Sequence, residues 1–166
     1  DRYATSRGGV YAPPQLPPCY QLSCAGTRIG DTLTKAMRLI PYFLADAIPF
    51  TATREQVVAH YGRPRAAQRN NVGLNELDYG DLIVRFQDNG RLEEITRRAP
   101  LLYLGTELLP FARLADHVHR HDPAVFERGG FLVSPRFGLA FDPDCPPWIT
   151  ALAAHCIPTW RAMGQT

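Results

Sequence analysis

The residues best placed by type and spacing to do chemistry are His117, His119, His121 and Asp122. On a helix, His117 and His121 share a face four residues apart and with Asp122 could hold a divalent ion, whereas His119 points elsewhere. That reading makes the chain a small metal-dependent hydrolase using His117, His121 and Asp122. A plainer one places the imidazoles at the negative end of a helix dipole, with Pro123 marking where the helix stops. A second grouping is acidic: Glu93-Glu94, Asp78 and Asp81 could supply a carboxylate pair for acid/base work. Adjacent strand residues point to opposite faces, so Glu93 and Glu94 are not expected to line one cleft. Asp78 and Asp81 flank a turn and read as turn formers, and no positioned partner for a general base is visible. The cysteines are Cys19, Cys24, Cys145 and Cys156, with four residues between the first two and ten between the last two. Those spacings match no compact zinc knuckle, and free thiols are the favoured reading over a disulfide or a metal.

Other chemistry is excluded by pattern. Gly8-Gly9 lacks the Lys-Ser/Thr of a phosphate loop, and Gly129-Gly130 precedes a strand instead of opening a helix. The three serines, Ser6, Ser23 and Ser134, lie outside any nucleophile-elbow context. Residues 1–36 carry four basic and two acidic groups, leaving 14 of each sign in the remainder. A near-neutral body argues against a nucleic-acid binder, which needs a basic face to displace counterions. No cofactor is expected. No run approaches the ~18 apolar residues that span a bilayer, and no secretory start is recognisable, which predicts a cytoplasmic protein without membrane contact.

The elements that would position these residues follow from periodicity. Residues 1–36, with Pro13-Pro14 and Pro17-Pro18, read as an extended or disordered N-terminal tail; the alternative is a helix from Asp31 to Ala45, which Pro41 would kink. Residues 37–166 read as a single α+β domain. Thr53 caps a helix from Arg54 to about Tyr61, with Gln56 completing a capping box and Gly62 and Pro64 stopping it. Strands at Leu74 to Tyr79, Leu82 to Gln87 and Leu92 to Thr96 form an antiparallel meander, its last turn marked by Asn89-Gly90. A second helix runs from Ala112 to His119, followed by strands at Phe131 to Ser134, Gly138 to Phe141 and Ile149 to Ala153. Equivalent features recur 61 residues apart at Phe50 and Phe111, and 59 apart at Pro64 and Pro123. Two diverged helix-plus-antiparallel-meander units are therefore expected, pseudo-repeat 1 at about 40–99 and pseudo-repeat 2 at about 100–160, with the helices on one face of the sheet. The opposite face would be open. Its polar residues, Glu76, Asp78, Tyr79, Asp81, Arg85, Arg91 and Glu93, form an acidic surface suited to a basic protein partner.

The run Ile48-Pro49-Phe50-Thr51-Ala52-Thr53-Arg54-Glu55-Gln56-Val57, then Tyr61-Gly62-Arg63-Pro64, Glu76-Leu77-Asp78-Tyr79 and Arg85 to Ile95, resembles small bacterial proteins of the immunity type. Gly138 to Pro143 is similar to their second half, so the likeness covers about residues 40–153. It implies a non-enzymatic protein that binds a cognate antibacterial toxin and occludes its active site; the resemblance itself assigns no contact residues, and Tyr79, Arg85 and Arg91 are the expected anchors because aromatic and arginine side chains near the acidic face dominate interface energetics. The duplicated arrangement is also similar to β-lactamase-inhibitor-like modules, by fold analogy alone.

Overall fold

The computed structural model describes residues 36–163. The expected tail therefore lies, apart from Ala36, outside the described residues. Where a helix to Ala45 was the alternative, the chain instead forms β1 (Ala36–Ile40) and β2 (Leu44–Ala45), paired antiparallel, then β3 (Ile48–Pro49). The alternation in β1 explains the choice: Met37 and Leu39 are buried, whereas Arg38 and Ile40 are exposed. Pro41 falls in the turn, followed by Tyr42 with φ of 63°.

The helix α1 (Arg54–Tyr61) opens on the expected capping box, in which Thr53 and Gln56 satisfy each other's backbone N–H groups. The meander follows as β4 (Ala66–Arg69), β5 (Asn75–Asp78), β6 (Leu82–Phe86) and β7 (Leu92–Arg98). In the second half come β8 (Leu101–Leu104), β9 (Glu107–Pro110), a short 3-10 turn at Phe111–Arg113 and α2 (Leu114–His121). Then follow β10 (Phe126–Arg128), β11 (Phe131–Ser134), β12 (Leu139–Phe141), β13 (Trp148–Leu152) and α3 (Cys156–Ala162).

The architecture is mixed α+β, mostly strand, with two open sheets. One has eight antiparallel strands in the order β10-β11-β12-β13-β7-β6-β5-β4; the other has five, β3-β2-β1-β8-β9, with β1 and β8 parallel. Alternate residues of the long sheet feed separate apolar clusters, as the strand period of two requires. Leu77, Val84, Ile95 and Ile149 join the inner residues of the five-stranded sheet and Val57, Leu114 and Val118 of α1 and α2. Val133, Ala140 and Leu152 face Cys156, Trp160 and Met163. Residues of α3 thus join alternate residues of the long sheet in a second cluster, so the sheet side expected to be open is partly covered. Nothing in the residue pattern announced α3, because Pro158 sits inside it. Proline is tolerated there because the first turn's N–H groups have no intrahelical acceptor.

The arm β1–β3 is locked to the rest of the molecule by polar contacts. Asp46 accepts from the guanidinium of Arg97 and from the backbone N–H of Arg38, and the Tyr42 hydroxyl donates to the Pro135 carbonyl. The Tyr42 ring lies where a Cβ at position 138 would sit, at 2.9 Å, and Gly138 has φ of 59°; only glycine suits both demands. No helix among the described residues is long and apolar enough to cross a membrane.

Trp160, fully buried and edge-on to Phe131 with centroids 5.5 Å apart, is the anchor of α3. Trp160→Ala is expected to cost about 3–5 kcal/mol in urea unfolding, as for other large-to-small core changes, whereas Phe43→Ala, at a side chain 66% exposed, is expected to stay within about 0.5 kcal/mol.

Candidate functional site

The polar side of the meander is where the sequence and the structure diverge most. Pairing of β6 with β7 runs Arg85 to Glu94 and then Phe86 to Leu92, so Glu93 is an extra residue in a β-bulge. A bulge re-aims a side chain that strict alternation would send away. The bulge overturns the expectation that Glu93 and Glu94 cannot share one side: Glu93 meets His155 and Cys156, and Glu94 lies near Trp160, so both carboxylates reach α3 and the residue before it.

Beneath α3 lies a buried charged cluster. Arg85, with no exposed surface, donates from Nε to Glu76 Oε2 at 2.6 Å and from Nη1 to Thr96 Oγ1 at 2.7 Å, and lies 3.4 Å from Glu94 Oε2. Thr96 in turn pairs with Thr150 across the central β7–β13 seam at 2.8 Å. Arg85 Nη2 completes no hydrogen bond, whereas the Trp160 indole N–H and the Glu94 carboxyl lie close enough to interact without forming a well-shaped one. Burial raises the Glu94 carboxyl above its ordinary pKa, a rise that Arg85 and the nearby indole oppose and that Glu93 and Glu76 reinforce. One guanidinium serves more carboxylates than it can neutralise.

At the edge of this cluster, Glu93 Oε1 is 2.6 Å from His155 Nε2, and Cys156 Sγ donates to Glu93 Oε2 at 2.8 Å. Among the described residues these three form the one His/Cys/Asp/Glu group with metal-ligand proximity, their candidate atoms all within 4.8 Å of one another. Glu93 and Cys156 border a cleft of about 310 Å³ lined also by Val72, Leu74, Gln87 and Asp88. Burial, followed by the hydrogen bond to Glu93, pushes the Cys156 thiol far up. The thiol is a protonated donor, and the imidazole's hydrogen-bond partner is the carboxylate, so no activated Cys–His nucleophile is assembled. Cys156 is free and buried, and Cys145 is disulfide-bonded.

The seven residues expected on a common surface are dispersed. Glu76, Arg85 and Glu93 are buried. Asp78 is half-buried at the β5–β6 turn, bound to Arg65 and capping the Gly80 N–H. Tyr79, also half-buried, donates its hydroxyl to the Gly62 carbonyl and packs on Tyr61. Asp81 is exposed at the same turn, and Arg91 is exposed at the β6–β7 turn, with Nε 3.7 Å from Glu93 Oε1. The sequence had no way to indicate His155 or Cys156, because a bulge and a proline-bearing helix bring them to Glu93.

Among the described residues, His117, His121 and Asp122 do not bring three ligand atoms together. The His117 and His121 rings lie 4.5 Å apart, tilted by 45°, but buried Asp122 is occupied by Ser134 Oγ and the N–H groups of Ala124 and Arg136. Burial lowers the His117 pKa, with His121, Arg120 and Arg136 adding to the effect against Glu107. Asp122 is depressed: burial acts to raise it, and the hydrogen bonds from Ser134, Arg136 and Ala124 outweigh that.

These two buried carboxyls should imprint opposite pH dependences. For Asp122, depressed in the folded state, the stabilisation is present above the unfolded carboxylate pKa and lost as pH falls through the folded value; Asp122→Asn should therefore cost most near neutrality and least in acid. For Glu94, raised in the folded state, stability is fully present below the unfolded pKa and declines as pH rises through the folded value; Glu94→Gln should remove that decline. Arg85→Met should cost about 3–5 kcal/mol at neutral pH by stranding buried carboxylates, and less in acid. Urea unfolding across the acid-to-neutral range reads all three. Set against known proteins, the chain matches no family model, no curated protein and no solved structure.

Proposed function

We propose that the chain is a non-enzymatic immunity-type protein that binds and neutralises a cognate antibacterial toxin by covering its active site. The observation that carries this reading is an apolar display confined to one sheet. Among the described residues the large exposed hydrophobics are Ile40 (48%), Phe43 (66%) and Leu108 (45%), and all three belong to the five-stranded sheet or its β1–β2 turn. On its outer face Arg38, Tyr103 and Leu108 stand side by side through the register of β1, β8 and β9, with Arg38 over the Tyr103 ring at 5.1 Å. Exposed apolar side chains gathered with an aromatic and an arginine are the composition of a docking surface. The groups that could do bond-making chemistry are, by contrast, engaged with one another.

The reading draws on the immunity-type resemblance of residues 40–153, and it relocates the docking face. Asp78, Tyr79 and Asp81 remain accessible at one end of the long sheet and Arg91 at the other, while Glu76, Arg85 and Glu93 act from within as structural charges. We also read the two halves as diverged copies, because the strand order of each sheet changes from first-half to second-half strands at one seam, β7 with β13 and β1 with β8. No observation favours the hydrolase alternative through His117, His121 and Asp122.

The chain, co-expressed with the secreted toxin encoded beside it, is expected to form a complex that survives size exclusion and to protect cells producing that toxin. Phe43→Glu and Leu108→Glu should each weaken the complex by at least about tenfold with an unchanged melting curve. Absence of a complex, or indifference to both substitutions, sinks respectively the function and the assigned face.

A further inference from the structure

We propose that Glu93, His155 and Cys156 form a three-ligand site for a zinc-class divalent cation, with the fourth coordination position facing the adjoining cleft. The inference is independent of toxin binding and goes beyond it.

Three observations converge. The donor set is carboxylate, imidazole and thiol, each offering an atom within 4.8 Å of the others. A tetrahedral zinc ion with bonds of about 2.0–2.3 Å holds its ligand atoms roughly 3.3–3.8 Å apart. The present Glu93–His155 and Glu93–Cys156 separations, 2.6 and 2.8 Å, need to open by only about an ångström to admit the ion. Thiolate and imidazole select zinc over magnesium or calcium.

Charge gives the second reason. Glu76 and Glu94 share a single buried guanidinium, Arg85, and Glu93 lies close enough to Glu94 to push its carboxyl further up. A divalent ion held by Glu93 offsets negative charge at a carboxylate that Arg85 does not pair with. Arg91, exposed and 3.7 Å from Glu93 Oε1, is free to swing outward when the ion takes its place.

Access is the third. Glu93 and Cys156 line the cleft of about 310 Å³, and Gln87, Asp88 and Thr159 on its wall can hydrogen-bond a metal-bound water. The β-bulge that turns Glu93 toward α3 has the placement expected of a bulge that builds a site. On binding, the Cys156 Sγ–H bond breaks, an Sγ–metal bond forms, and the proton leaves to solvent; the metal's oxidation state does not change.

The test uses the full chain, stripped with chelator and then titrated with zinc against a chromophoric competitor, and separately with cobalt. One equivalent is expected to bind, with a thiolate-to-cobalt charge-transfer band. Cys156→Ser, which leaves the other three cysteines in place, should abolish that band, and His155→Gln and Glu93→Gln should each lower zinc affinity at least about tenfold. Circular dichroism of each variant separates lost ligation from lost folding. Failure to bind a stoichiometric equivalent, or retention of the ion and its charge-transfer band in the His155→Gln/Cys156→Ser double variant, overturns the proposal.

Discussion

A single buried guanidinium governs how this molecule closes. Arg85 sits at mid-strand with no solvent contact, bonded to Glu76 on β5 and Thr96 on β7, and close to Glu94. Without it, Glu76 and Glu94 would lose the one cation paired with them beneath α3, which lays Trp160 and Cys156 on that side of the sheet. Burying charge is expensive unless it is paired, and here the pairing is incomplete: Arg85 Nη2 and Glu94 Oε1 complete no well-shaped hydrogen bond. The raised Glu94 carboxyl is the local expression of that imbalance. The long sheet is thus apolar on both sides toward β11–β13, yet charged in the interior of one side toward β5–β7.

The proposed docking face reflects that asymmetry. Charged meander residues turn inward, whereas Ile40 and Leu108 of the smaller sheet and Phe43 of its β1–β2 turn stay uncovered. The interior charges in turn create, at the border with α3, the one place among the described residues where a carboxylate, an imidazole and a thiol meet. The proposed docking face and the proposed cation site therefore occupy different parts of one molecule.

Local signals in the sequence determined a good deal. The Thr53 capping box, the Asn89-Gly90 turn, the strands at β5, β6, β7, β11, β12 and β13 and the end of α2 at Asp122 are all encoded within a few residues, so periodicity and turn chemistry reveal them. The mixed α+β class follows from the same patterns. What tertiary structure decided is everything that depends on residues far apart in the chain. The five-stranded sheet joins β1 to β8 across more than half the described chain, and the parallel pairing leaves no local signature. A bulge reversed the facing of Glu93 because one extra residue flips a period-two pattern, which no alternation rule can foresee. Helix α3 covered side chains whose polarity reads as exposure, because the energetic worth of Arg85 depends on Glu76 and Glu94 arriving beside it, and sequence spacing does not show whether they do.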